Sequence, residues 1–334
     1  MRAVVTASVM CLLMIIASIP NTDSEVSQLT DNLNQFESNS DVTISYSNGP
    51  TAGQSLTGVY TLSFSFSGTG TVTSLDVEIS DDSTAWSNVA TLTSSPWVTY
   101  LDTTTFSNGA YELRATAYDS TVSENVVEIS PSFTIDNQVP VITDFSVSNI
   151  EYGTGHSASD RAWFSTASDG VLEFSWNAVD DDLLRATLTN VPGPGTPSSD
   201  GPSTINYGWD WSSGDFSEGT WNPRLTVYDN SGLTATQTMF IGIDRTGPTI
   251  GTISTGSSTG WVTSSLVTLT GLTNTVDDGL GSGVAFTEIS LDDAAWTQTN
   301  GDSYSLTLDD GVHTISLRAT DNVGNVGPTS QVTI

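Results

Sequence analysis

At three places in this chain a glycine is followed ten positions later by an aspartate, each time across the same apolar pattern. Gly109 to Asp119 encloses Tyr111-Glu-Leu-Arg-Ala-Thr-Ala117, and Gly219 to Asp229 encloses Trp221-Asn-Pro-Arg-Leu-Thr-Val227. Gly311 to Asp321 encloses His313-Thr-Ile-Ser-Leu-Arg-Ala319. The intervals begin 110 and then 92 residues apart (109 to 219, 219 to 311), far beyond a solenoid repeat and close to the length of one β-sandwich. Repetition at that spacing restricts the chain to tandem domains. Each interval reads as one strand with an aromatic residue at its start and an Asp-led turn at its end.

Alternation supports the same class. Tyr60, Leu62, Phe64 and Phe66 alternate with Thr and Ser, as do Leu75, Val77 and Ile79. Leu172, Phe174 and Trp176 repeat the plan, and so do Val267 with Leu269 and Ile289 with Leu291. Closing strands are expected at 132–135, 240–243 and 332–334. Outside the first residues no long window places apolar side chains at helical spacing, so the expectation is all-β: three antiparallel sandwiches in a row. Their predicted limits are 41–136, 137–244 and 245–334. Asp136-Asn-Gln-Val-Pro140 and Asp244-Arg-Thr-Gly-Pro248 punctuate the joints, where proline blocks extension of a ladder and stiffens a short linker. The stretch 192–203, with four prolines and three glycines, reads as a surface loop inserted in the second unit. Ile334 falls one residue short of a third joint Asp, which suggests a piece of a longer array.

The chain's 334 residues carry 38 Asp plus Glu against 7 Lys plus Arg, a net charge of −31, and no lysine at all. That balance excludes nucleic acid as a partner and disfavours an anionic membrane surface. Solubility with mutual repulsion of neighbouring domains accounts for it, and a high-salt habitat is the sharper reading. Met1-Arg2 and the apolar run 3–19 have the layout of a secretory signal peptide over 1–20, followed by a flexible polar leader over 21–40. Cys11, the only cysteine, lies in that run, so the mature domains stand without disulfides. No second apolar run reaches membrane length, and the expected location is extracellular or at the cell surface.

The third unit carries a recognisable combination: Ser282-Gly-Val, then Ile289-Ser-Leu-Asp-Asp-Ala-Ala-Trp296, then Asp310-Gly-Val-His-Thr-Ile-Ser-Leu-Arg-Ala-Thr-Asp-Asn-Val-Gly-Asn325. It resembles the immunoglobulin-like repeats of bacterial and archaeal secreted surface proteins. The first unit matches in part, through Glu78 to Trp86 and Leu113 to Asp119, and the second keeps little beyond Tyr228-Asp-Asn-Ser-Gly232. The resemblance implies export and a sandwich fold, and it extends to stalks, adhesin modules and accessory domains of secreted enzymes alike.

Catalytic patterns are missing. With no lysine and no mature cysteine, nucleophilic chemistry would rest on Ser, Asp, Glu and two histidines. His156 sits in a Gly/Ser-rich stretch, while His313 holds the strand position filled by Tyr111 and Trp221. No catalytic, cofactor-binding or metal residue is assigned, and the chain reads as a non-enzyme without a cofactor. Calcium is the one metal worth weighing, because it takes Asp and Asn oxygens. Asp180 with Asp182, Asp277 with Asp278, Asp136 with Asp119, and Asp244 with Asp229 are the candidate ligands, but no Asp-x-Asp-x-Asp-Gly loop is present. The Asp that closes each interval reads as a turn residue. Trp209 and Trp211 would point two indoles to one face of a strand, a geometry that suits sugars, although core filling is the commoner use of tryptophan. No Asn-x-Ser/Thr sequon occurs. The expected function is a structural spacer or adhesin array whose partner is a surface protein or glycan. The alternative is a glycan-binding accessory module of a secreted or surface assembly.

Overall fold

The structure, a computed structural model, describes residues 41–165, 171–192, 198–200, 204–210, 218–274 and 276–334. The expected signal peptide, the polar leader, Trp211 and most of the 192–203 loop lie outside the described residues. The chain divides into two compact units, Met1–Asn137 and Gln138–Ile334.

The described part of the first unit is one sandwich. One sheet joins Thr43–Asn48, Val59–Ser67 and Val98–Asp102. The facing sheet runs in the order Ser55–Leu56, Phe133–Ile135, Gly109–Asp119, Val72–Ser80, Ser87–Leu92, with Glu124–Ile129 also paired to Gly109–Asp119. Ser55–Leu56 lies parallel to Phe133–Ile135 and the other pairs are antiparallel. A strand that changes sheets and closes against the last strand in parallel gives the immunoglobulin-like arrangement. The core is the inward half of each alternation: Leu62 and Phe64, then Leu75, Val77 and Ile79, then Leu113, Ala115 and Ala117.

The second unit contains the plan twice. Its first sandwich sets Val141–Val147, Val171–Val179 and Thr204–Asp210 against Ser198–Asp200, Leu183–Thr189, Arg224–Asp229 and Thr234–Thr238, and Ala162–Phe164 lies parallel to Ile241–Ile243. Its core gathers Phe145, Phe164, Phe174, Trp176, Leu188 and Leu225. The next sandwich sets Leu266–Thr270 with Ser303–Thr307 against Thr297–Thr299, Val284–Leu291, Thr314–Asp321 and Ser330–Thr333. It has a separate core around Val267, Leu269, Ile289, Ile315 and Leu317. The described residues contain no α-helix, and none of their helices is long and apolar enough to cross a membrane.

The repeated residues have structural reasons. Gly109, Gly219 and Gly311 share φ values of 153°, 158° and 157°, backbone that side-chain-bearing residues rarely adopt. The aromatic ring two positions on lies over each glycine, closest at Gly219, where a Cβ would meet Trp221 Cη2 at 3.2 Å. Tyr111 donates its hydroxyl to the Ser107 carbonyl at 3.1 Å, and His313 Nε2 reaches the Asp309 carbonyl, also four residues upstream, at 3.0 Å. His313 therefore takes over a tyrosine's anchoring bond. The Glu-to-Trp motif is likewise a built unit. Arg114 lies 4.4 Å over the Trp86 ring and pairs with Glu78 at 2.7 Å, and Arg318 lies 4.3 Å over Trp296 and pairs with Glu288 at 2.8 Å.

Candidate metal centre

The aspartate that ends each interval is set by parity. In Gly109–Asp119 the buried positions are 111, 113, 115, 117 and 119, so the last inward place is given to a carboxylate. Arg224–Asp229 and Thr314–Asp321 end in the same way. Asp119, Asp229 and Asp321 are 1%, 1% and 2% exposed. An ionised group buried that deeply must find donors or a cation.

The three sandwiches answer this need differently. In the first, the facing loop is Gly68-Thr-Gly-Thr71 and carries no acid. Asp119 Oδ1 accepts the Thr71 and Thr121 amides at 3.0 and 2.9 Å, and nearby Asp41 accepts the Thr69 and Gly70 amides at 3.0 Å. Backbone donors supply the compensation there.

The equivalent loop in the next sandwich carries Asp180 and Asp182, and one oxygen of each lies within 4.8 Å of an Asp229 oxygen. Asp229 Oδ1 makes the turn, accepting Ser231 Oγ at 2.7 Å and the Leu233 amide at 2.8 Å. Its Oδ2 is buried with no hydrogen-bond partner, and so is Asp180 Oδ2. Asn230 holds the acid-bearing loop by donating its side-chain amide to the Asp182 carbonyl at 2.8 Å.

The last sandwich gathers Asp244, Asp278 and Asp321, again with ligand atoms within 4.8 Å of one another. Asp321 accepts the Val323 and Asn325 amides at 2.9 and 2.8 Å and the Asn325 side chain at 2.8 Å. Asp244, fully buried, accepts the Ser282 amide at 2.6 Å, and Asp278 Oδ2 accepts the Gly283 amide at 2.6 Å. Asn322 donates to the Ser282 and Gly283 carbonyls at 2.9 Å, and Asn325 donates to the Asp244 carbonyl at the same distance. Gly281 makes room for the carboxylates: a Cβ there would stand 2.4 Å from Asp278 Oδ2 and 2.7 Å from Asp244 Oδ2. Burial pushes Asp278 up to about 6, helped by the charges of Asp244, Asp321 and Glu218 and opposed by the Gly283 amide. Burial likewise raises Asp321, with Asp244 adding to it and Asn325 opposing. Among the described residues no arginine or histidine pairs with these three carboxylates. The donor set is all oxygen, which suits hard cations such as calcium or magnesium and not zinc.

The sequence pairing of the aspartates needs correction. Asp136 follows the strand that lies beside Gly109, so it stands at the opposite end of Gly109–Asp119 from Asp119. Asp244 and Asp229 are separated in the same way, because Ile243 pairs with Gly219. The closing strand runs antiparallel to its neighbour and carries the joint residue back to the glycine end. Asp244 meets Asp278 and Asp321 of the following sandwich instead. Asp180 and Asp182 are brought together with Asp229, and the Asp277 side chain lies outside the described residues. Asp321 is a candidate ligand that the sequence pairing leaves out, and the turn reading of Asp229 accounts for only one of its oxygens. Counting inward positions along the strand would have marked both as buried. His156 sits exposed in a loop and belongs to neither cluster, and the side chain of Trp209 lies outside the described residues.

No family model matches the chain, and no curated protein matches it. Among solved structures, the fibronectin(III)-like modules of Clostridium thermocellum CbhA are 15% identical at a TM-score of 0.37, covering 61% of this chain and 95% of that one. A fragment of three titin immunoglobulin domains is 10% identical at a TM-score of 0.38, covering 88% and 98%. A tetra-tandem repeat from the extending region of a large adhesion protein is 18% identical at a TM-score of 0.28, covering 88% and 73%. At these values the likeness says nothing of binding or activity.

Proposed function

We propose that this is a non-enzymatic extracellular or cell-surface protein, a structural spacer or adhesin array of immunoglobulin-like domains with limits near 41–136, 137–244 and 245–334. The carrying observation is that one sandwich plan is built three times and its repeated residues go into architecture. The glycine lies under a ring and the aspartate closes the core in all three, and the arginine is clamped between Trp and Glu in the first and third. The expected partner is a surface protein or glycan. Protease shaving of intact cells of the source organism tests the location. Release of fragments without lysis is expected, and complete protection until lysis contradicts the reading.

The alternative, a glycan-binding accessory module, gains support from a place other than Trp209 and Trp211. Trp261 is 75% exposed and lines a surface depression shared with Ser264, Ser265, Asp309 and Asp310, so an apolar ring stands near hydroxyls and carboxylates. Quenching of tryptophan fluorescence by soluble polysaccharides, lost in Trp261→Ala, would favour this reading. An unchanged spectrum across a polysaccharide panel would remove it.

A further inference from the structure

We infer that the second and third sandwiches each hold one hard divalent cation of calcium's size at the pole where the Gly-to-Asp strand ends, and that the first does not. The internal comparison carries the inference. The same buried aspartate recurs three times, and only where the facing loop brings further carboxylates are buried oxygens around it left without a donor: Asp229 Oδ2 and Asp180 Oδ2 in the second sandwich, Asp278 Oδ1 beside Asp321 in the third.

In the second sandwich, Asp229 is 1% exposed and its Oδ2 has no hydrogen-bond partner, although oxygens of Asp180 and Asp182 stand within 4.8 Å. In the third, Ser282 is 7% exposed with an unpartnered hydroxyl, beside a cluster whose Asp244 is held by its own amide. Asp278 Oδ1 is also buried there without a partner. Like charges held this close away from bulk water repel one another strongly, so three carboxylates at such distances are a costly arrangement without a cation. Calcium binds oxygens at about 2.3–2.6 Å, so two of its ligands are at most about 5 Å apart, which is the spread of both clusters. Gly281 keeps the space among Asp244 and Asp278 free of a side chain. In the third sandwich one ligand, Asp244, follows the closing strand Ile241–Ile243 of the preceding sandwich. The ion therefore joins the end of one fold to the pole of the next.

Equilibrium dialysis of the full chain, stripped of metal, against calcium chloride at physiological ionic strength tests this. Two calcium ions per chain are expected. Asp229→Asn and Asp278→Asn should each lower the count to one, and the double variant to zero. In chelator both variants should melt at or above the parent temperature, since each removes one of several repelling charges; a merely structural aspartate would show a lower midpoint. If Asp229→Asn does not fold, Asp180→Asn reads the same pole from a less buried position. A count of zero or one for the parent, or two ions in both single variants, overturns the inference.

Discussion

A single strand position decides much of this molecule's chemistry. The residue ten places after the repeated glycine points inward because its parity matches Leu113, Leu225 and Leu317, and at that inward place the chain puts a carboxylate. His313 shows the converse, a titratable residue used for anchoring. Its Nδ1 lies 2.7 Å from Asp292 Oδ2 while Nε2 reaches the Asp309 carbonyl, so both ring nitrogens face acceptors and the imidazolium is favoured. The Asp292 hydrogen bond and then the Asp309 carbonyl raise its pKa above 6.5, and His313 lowers that of Asp292. Because the folded pKa of the histidine is raised, its contribution to stability is fully present below 6.5 and fades as pH rises through the raised value. An NMR titration should show that elevation, with Asp292→Asn moving it back down. His313→Tyr should fold, copying Tyr111, and lose this pH dependence. A His313 pKa at or below 6.5 in the parent contradicts this account of its role.

At the scale of elements, the strands and their inward faces were legible because alternation and the Gly-to-Asp interval are local signals. Leu62, Phe64, Leu75, Val77, Ile79, Phe174 and Trp176 are buried as their parity requires. The candidate metal centre was only half legible. Asp180 and Asp182 were seen as candidates, but their partner Asp229 comes from a strand more than forty residues on. Asp244 was assigned to the wrong pole because chain proximity hides the reversal of an antiparallel closing strand. The Arg clamp was visible as a motif without its mechanism, since cross-strand neighbours cannot be read from one strand. Arg318→Ala should cost about 1 kcal/mol in urea unfolding, a part-exposed ion pair and ring contact together. Leu317→Ala, in a fully buried position, should cost about 2–5 kcal/mol. Gly281→Ala should cost about 1–3 kcal/mol by forcing apart Asp278 and Asp244. A neutral Gly281→Ala would mean the carboxylates are free to move aside.

At the scale of the molecule, 38 acids against 7 arginines make an excess that the fold only partly disperses. Arg114, Arg161, Arg185 and Arg318 each lie over an aromatic ring, which leaves few cations for the buried aspartates. A bound divalent ion would stabilise the folded chain by mass action, about 2.7 kcal/mol per site at a hundredfold excess over its dissociation constant. Thermal unfolding of the full chain in millimolar calcium and in chelator tests the account most directly. The account predicts a midpoint several degrees higher with calcium, a gain reduced in Asp229→Asn and in Asp278→Asn and abolished in the double variant. Superimposable transitions of the parent in calcium and in chelator would contradict it.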